Sequence, residues 1–243
     1  MGLVVKDIFH KYERQIVIDN ISFNVQPGEI ICLSGPSGCG KTTLLKIIAG
    51  LIPAKSGIID NQFNTTSYVF QEPRLLPWRT CLENISFGLK VKKISFEKRR
   101  YIALKLAKEL GIYQAIDRYP HQLSGGMQQR VALGRALAIE PDFLILDEPF
   151  SSLDIGRRRQ LQDLILQLLN TRNLAILLVS HDLAEAVRLG NKIIILSASP
   201  SKIVYEWKPE SGINRDEAYI YKTVSSLLTI PQVANCFNVN SEQ

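Results

Sequence analysis

Apolar positions change their spacing several times along the chain, and each change marks an element. Residues 3–25 alternate loosely between apolar and polar, with β-branched residues at Ile16 to Ile18 and Ile21 to Val25, which predicts short antiparallel strands. After the Pro27-Gly28 turn, Glu29 to Ser34 (EIICLS) reads as a buried strand that runs into the glycine-rich stretch Gly35 to Gly40. Leu44, Leu45, Ile47, Ile48 and Leu51 then recur at helical spacing, giving the order strand, glycine loop, helix. Tyr68 to Gln71 reads as the end of another strand, and from Glu72 to about Ala138 the pattern is helical, with Ile102, Leu106 and Leu110 four residues apart. Phe143 to Leu146 and Leu174 to Val179 are continuous apolar runs separated by a helical stretch carrying Leu161, Leu164, Ile165, Leu168 and Leu169. Strand, helix, strand without alternation predicts a parallel sheet covered on both faces, hence an α/β fold. Lys192 to Leu196 and Lys202 to Trp207 suggest a closing hairpin, and a weak helical signal lies near Glu217 to Leu228.

Composition narrows this without changing it. With 243 residues, 46% hydrophobic and 21% charged, the chain is expected to be globular. Its longest apolar runs fall far short of the ~20 residues a membrane span requires, which argues against an integral membrane protein. The formal charge of +6 is uneven: Lys90 to Lys108 holds eight Lys and Arg against Glu97 alone, so it nets 8 − 1 = +7 and the remainder nets −1. A nearly neutral protein with one basic segment does not have the general basic coat of a nucleic-acid binder. That segment can face anionic lipid or a protein partner, or be an ordinary solvated helix. Cys32, Cys39, Cys81 and Cys236 show no CxxC spacing and no histidine set, so neither a zinc site nor a redox motif is expected. The first residues lack a signal-peptide layout, and Lys6 stands where a myristoylation motif needs Ser or Thr, which points to a cytosolic compartment.

Three stretches carry chemistry. Gly35-Pro36-Ser37-Gly38-Cys39-Gly40-Lys41-Thr42, followed by Thr43, matches G-x-x-x-x-G-K-[ST] between a strand and a helix. Glycines let the backbone wrap closely enough for N–H groups to point at phosphate oxygens, Lys41 can reach the β- and γ-phosphates, and the Thr42 hydroxyl can ligate Mg²⁺. Asp147 and Glu148 end the FLIL strand at its carboxyl edge, where ligands bind in open α/β sheets; Asp147 suits the magnesium side and Glu148 the general base. Ser124-Gly125-Gly126 opens a helix, with Ser124 read as its N-cap, and forms a second candidate anion site.

The order GPSGCGKTT, Gln71, LSGGMQQR, FLILDEPF, SSLD and His181 resembles the ATP-binding cassette (ABC) ATPases over about residues 3–208. The resemblance implies a P-loop NTPase with a RecA-like parallel-sheet core, an N-terminal antiparallel part and a helical subdomain. It places the core at about 1–72 and 139–208, the subdomain at about 73–138 and a short extension at 209–243. It implies a head-to-tail homodimer in which each Mg-ATP lies between one protomer's phosphate loop and its partner's LSGG turn. By position, Tyr12 matches the adenine-stacking aromatic and Gln71 the glutamine that touches Mg²⁺ and the attacking water. Ser124, Gly125, Gly126 and Gln128 match the signature facing the opposite nucleotide. Asp154 matches the loop coupling the two sites, and His181 the histidine at the γ-phosphate.

A narrower resemblance lies in Gln71-Glu-Pro-Arg-Leu-Leu-Pro-Trp78, which is similar to ATPase subunits of importers for nitrate, sulfonates, taurine and thiamine precursors. It implies a permease partner, indirectly a solute-binding protein, and a peripheral place at the cytoplasmic membrane face. Read physically, a proline-stiffened loop exposes Leu75, Leu76 and Trp78, or packs them on its own helical insertion. Service in an exporter or lipid transporter, or in a soluble nucleic-acid ATPase, stays open as an alternative. Long coiled-coil insertions of the DNA-maintenance kind do not fit between Lys41 and Ser124. Gly134 departs from the alanine usual in the signature helix, at a propensity cost of ~1 kcal/mol. Cys39, beside Lys41 and a helix start, is expected to lean toward thiolate and to react with alkylating agents.

Overall fold

The computed structural model describes residues 2–151, 153–210 and 212–237, so Ser152 of the SSLD motif lies outside it. The chain divides into two compact units, residues 1–63 with 175–243, and residues 64–174.

In the first unit, β1 (Leu3–Tyr12) pairs antiparallel with both β2 (Gln15–Val25) and β4 (Ser56–Asn61). The loose alternation of the sequence has a structural cause. The register of β1 slips near Asp7, whose φ of 51° breaks the two-residue period, as in a β-bulge. β4 was not anticipated: only one of its six residues is better than exposed, so it carries no apolar alternation to read. A second sheet holds β7 (Ala175–Val179), β3 (Ile30–Ser34) and β8 (Lys192–Leu196) in parallel, closed by antiparallel β9 (Ile203–Trp207). All five residues of β3, β7 and β8 are buried, as their unbroken apolar runs require. Lys192 is buried as well and meets Glu206 across the hairpin at 2.7 Å.

Helix α1 (Lys41–Ile48) leaves the loop after β3, and α6 (Leu183–Leu189) follows β7 with Asp182 as N-cap, accepting from the Ala184 N–H at 2.8 Å. The C-terminal residues add α7 (Glu217–Leu228), where the helical signal placed it, and α8 (Pro231–Cys236), which it did not. Arg215, just before α7, donates to the carbonyls of Val187, Arg188 and Gly190 at 3.2, 3.2 and 2.7 Å. Those are orphan acceptors at the C-terminal end of α6.

The second unit holds the parallel pair β5 (Thr66–Val69) and β6 (Phe143–Asp147), with α2 (Cys81–Val91), α3 (Phe96–Glu109), α4 (Gly125–Leu137) and α5 (Ile155–Arg172). It is wider than the helical subdomain expected at about 73–138, because β5, β6 and α5 group with the helices. Helix α2 opens on a capping box, the Thr80 hydroxyl accepting from the Glu83 N–H while the Glu83 carboxylate accepts from the Thr80 N–H. Asp142 fixes the entry to β5 and β6 by accepting from the backbone N–H groups of Asn64 and Thr65, each at 2.8 Å.

Gly134 turns out to be a packing residue. A methyl group there would lie 2.8 Å from Leu110 Cδ1 and 3.2 Å from Ile85 Cγ1, both in the core of the unit. The propensity cost read from the sequence is therefore offset by the close approach of α4 to α2, and alanine does not fit without displacement.

Candidate nucleotide-binding and hydrolysis site

The loop from Gly35 to Gly40 needs glycine where the chain itself is crowded. Gly40 has φ 115° and stands at the N-cap of α1; a Cβ there would sit 2.7 Å from Val17 Cγ1. A Cβ on Gly35 would meet the Leu196 carbonyl oxygen at 2.7 Å. Around these positions the loop folds over Lys41, which is buried and donates from Nζ to the carbonyls of Gly35 at 2.8 Å and Pro36 at 2.7 Å. Its ammonium is thus held by carbonyls of its own loop, and to meet a phosphate it must exchange those acceptors. Thr42 and Thr43 follow in the first turn of α1, Ser37 and Gly38 lie at the loop's crest, and no acidic residue occupies that turn. Such a turn suits an anion.

Cys39 is buried, with Sγ 3.9 Å from Lys41 Nζ, and its carbonyl accepts from the Ser201 hydroxyl. With the thiol buried, the loop must open before an alkylating agent reaches it. Cys32 is wholly buried, and burial pushes its thiol pKa far up, so it remains a core thiol. Tyr12, at the end of β1, is half exposed, as a stacking surface requires, and the His10 ring meets it edge-on at 4.7 Å. His10 itself is buried, and neither ring nitrogen has a hydrogen-bond partner among the described residues. His181 is exposed and stands directly before the N-cap of α6.

In the second unit the carboxyl end of β6 gathers three of the expected residues. Asp147 is buried, and its Oδ2 accepts from the Tyr68 hydroxyl at 2.9 Å. Burial foremost, then the neighbouring Asp147 charge, raises the Tyr68 pKa well beyond the ordinary phenol value, so the hydroxyl stays a donor. Glu148 follows with φ 44°, a left-handed conformation unusual for this residue type, which turns the backbone sharply at the strand's end. Its Oε2 accepts from Gln71 Nε2 at 3.3 Å, bringing together the expected base and the expected sensor.

The loop after Gln71 is anchored from behind by residues that the sequence reading passed over. The fully buried Asn84 accepts from the Leu76 N–H at 2.8 Å and donates to the carbonyls of Leu76, Arg79 and Thr80. Arg135 donates to the carbonyls of Pro73 and Arg74, each at 2.8 Å, and burial holds its guanidinium below its usual pKa. Trp78, 69% exposed, is left projecting, while Leu75 and Leu76 are half-buried. Polar side chains satisfying loop carbonyls leave no periodic trace, so only the run of prolines and apolar residues was readable.

At the signature, Ser124 occupies the N-cap of α4 in an extended conformation, but its side chain makes no capping bond. Ser124 thus holds the N-cap position without closing it; Ser124 and Gly125 are exposed, whereas Gly126 is buried with Leu153 and Arg157 close by. Gln128 turns back, donating to the carbonyls of Pro120 at 3.0 Å and Leu123 at 3.3 Å, so it braces the turn. Asp154 caps α5, accepting from the Arg157 N–H at 3.0 Å and pairing with the Arg157 side chain at 3.2 Å.

Among the described residues no group of three His, Cys, Asp or Glu could hold a metal ion. Mg²⁺ takes few protein oxygens and keeps water and substrate phosphates as its other ligands. Thr42 hydroxyl, Asp147 carboxylate and Gln71 amide supply hard oxygen donors of the right kind.

A glycine loop that leaves a buried parallel strand and closes on a lysine at a helix start defines a P-loop nucleotide-binding protein. The family model "ABC transporter" matches residues 18–151. The taurine import ATP-binding protein of Yersinia pestis bv. Antiqua (strain Antiqua) is 40% identical over 209 residues, covering 83% of this chain and 82% of that protein. An aliphatic sulfonates import ATP-binding protein of Pseudomonas savastanoi pv. phaseolicola (strain 1448A / Race 6) is 43% identical over 190 residues, 78% of each chain. A dimeric ATP-binding cassette solved in a post-hydrolysis state with ADP and Pi superposes with a TM-score of 0.75 at 30% identity, covering 86% of this chain and 99% of that one. A putative metal-chelate type ABC transporter in an inward-facing conformation shares the fold, with a TM-score of 0.81 at 22% identity over 98% of this chain and 89% of that one. The chain belongs to the ABC transporter family, and it is a nucleotide-binding ATPase subunit of that family. Among the described residues no helix is long and apolar enough to cross a membrane.

Proposed function

We propose that this ATPase powers import of a small organic anion of the taurine and alkanesulfonate class. The observation that carries the reading is the Gln71–Glu148 hydrogen bond at the root of a rigidly anchored loop that projects Trp78. A side chain tied to the expected base and continuous with an exposed apolar loop can relay docking of a membrane subunit to hydrolysis. The names of the relatives support the substrate class.

In this reading residues 1–208 form one cassette, with 209–243 as its extension. Tyr12 stacks on adenine, the Gly35–Gly40 amides cradle the phosphates with Thr43 beside them, and Lys41 leaves its loop carbonyls for the γ-phosphate. Thr42, Asp147 and Gln71 would hold a Mg²⁺ ion, which would supply charge neutralisation for the phosphates. Glu148 draws the proton from the attacking water, which His181 orients; the water oxygen bonds to the γ-phosphorus as its bond to the ADP oxygen breaks, and the proton leaves with released phosphate. Ser124, Gly125 and Gly126, braced by Gln128, close on the nucleotide of a second copy, and Asp154 couples the two sites. A permease, and through it a solute-binding protein, completes a peripheral assembly at the cytoplasmic face of the membrane, with no nucleic acid involved.

Co-purification from native membranes tests the assembly. The expected result is one permease and one capture protein, with taurine or an alkanesulfonate stimulating ATP hydrolysis once they are reconstituted in vesicles. Recovery with an exporter, or hydrolysis indifferent to every sulfonate tried, would overturn the reading.

A further inference from the structure

We propose that Tyr68 is a positioning residue whose phenol sets the carboxylate of Asp147 for the metal. The placement follows from strand geometry. Tyr68 lies in register with Ile145 on the adjacent parallel strand, and Asp147 stands two residues beyond Ile145 on the same face. Two residues of strand span about 6.6 Å, which is about the reach of a tyrosine from Cα to its hydroxyl. The phenol therefore leans along the sheet toward its carboxyl edge and donates a hydrogen bond to Asp147 Oδ2 at 2.9 Å.

Packing holds the ring in that direction. The Phe70 ring lies 4.4 Å from it, tilted by 38°, and the Arg74 guanidinium covers Phe70 at 4.6 Å. Committing Oδ2 to the phenol sets the plane of the carboxylate and so the direction in which Oδ1 faces. A buried carboxylate at a strand end turns about two side-chain bonds, and a donor on one oxygen removes that freedom before nucleotide and metal arrive. The role rests on the assignment of Asp147 to the metal side, and it was invisible in the sequence, where Tyr68 read only as strand.

The substitution Tyr68→Phe keeps the ring and its packing on Phe70 and removes the hydroxyl alone. Mn²⁺ titrated onto the protein with ADP, followed by loss of the free-ion electron paramagnetic resonance signal, is the direct readout. Half-saturation is expected at about ten times more metal in Tyr68→Phe than in the unaltered protein. Binding of a fluorescent ADP analogue in EDTA is expected to be the same in both. Equal Mn²⁺ affinity in Tyr68→Phe, alongside weakened affinity in Asp147→Asn, overturns the role of the phenol and leaves the metal assignment standing. Unchanged Mn²⁺ affinity in Asp147→Asn removes that assignment and the role of Tyr68 with it. Nucleotide binding that weakens in EDTA as much as with metal would make Tyr68 a packing residue only and also overturn the proposal.

Discussion

Gln71 Nε2 lies 3.3 Å from Glu148 Oε2, so the first residue of the projecting loop and the expected general base are joined by one hydrogen bond within one unit. Glu148→Gln keeps the side chain's shape and still offers an oxygen to Gln71, but it cannot take a proton from water. Hydrolysis should fall by about 10²–10⁴-fold, the usual worth of a positioned base, while ATP binding persists and nucleotide-bound dimers accumulate. Single-turnover hydrolysis and size-exclusion chromatography with ATP check this. Near-normal turnover would move the base elsewhere.

Asp142 predicts an acid-sensitive joint. Burial alone would raise its pKa, but the N–H groups of Thr65 and Asn64 outweigh that and hold it below the ordinary value. A depressed folded-state pKa means that the unfolded chain takes up the proton first as pH falls. The stabilisation is therefore complete above the ordinary carboxylate range and lost as pH drops through the lowered value. Asp142→Ala should cost about 1–3 kcal/mol at neutral pH in urea titrations, with the gap to the unaltered protein closing in acid. A gap that is independent of pH counts against the charge.

Gly134→Ala sets two effects against each other. Helix propensity favours alanine by ~1 kcal/mol, whereas overpacking against Leu110 and Ile85 costs about 1–3 kcal/mol. The net expectation is a lower urea midpoint, recovered in part when Leu110 is shortened in Leu110→Val. A raised midpoint in the single variant would show that the crossing yields easily.

His10 is a buried imidazole without a hydrogen-bond partner for either nitrogen among the described residues. Replacing an unsatisfied polar ring by an apolar side chain of similar size removes a desolvation cost, so His10→Leu should stabilise by about 1 kcal/mol in thermal or urea unfolding. Destabilisation would mean that the edge contact with Tyr12 outweighs that cost.

Much of the fold was legible because its core strands are unbroken apolar runs: Ile30 to Ser34, Phe143 to Leu146 and Ala175 to Val179 are buried at every residue. The helix at Glu217 was readable, weakly, from its period, and the structure shows Asp216 capping it by accepting from the Tyr219 N–H. β4 escaped because an exposed strand paired through its backbone needs no apolar pattern, and α8 because six residues are too few to show a period. Among the candidate residues, Lys41, Asp147 and Glu148 stood out in the sequence by motif spacing and chemistry, and Gln71 and His181 through the family resemblance alone. Tyr68, Arg135 and Arg215 were not readable, since each acts on a partner distant in sequence that only the folded chain brings near, and Asn84 was not because a side chain bonded to nearby loop backbone leaves no periodic trace.

Arg215 ties the C-terminal residues to the helix that follows His181. Its three acceptors close the far end of α6, the helix that begins just after His181. A chain cut before Arg215 would leave those carbonyls to water and loosen the end of that helix. The stretch that reads in the sequence only as a short extension thus supplies the side chain that ends this helix.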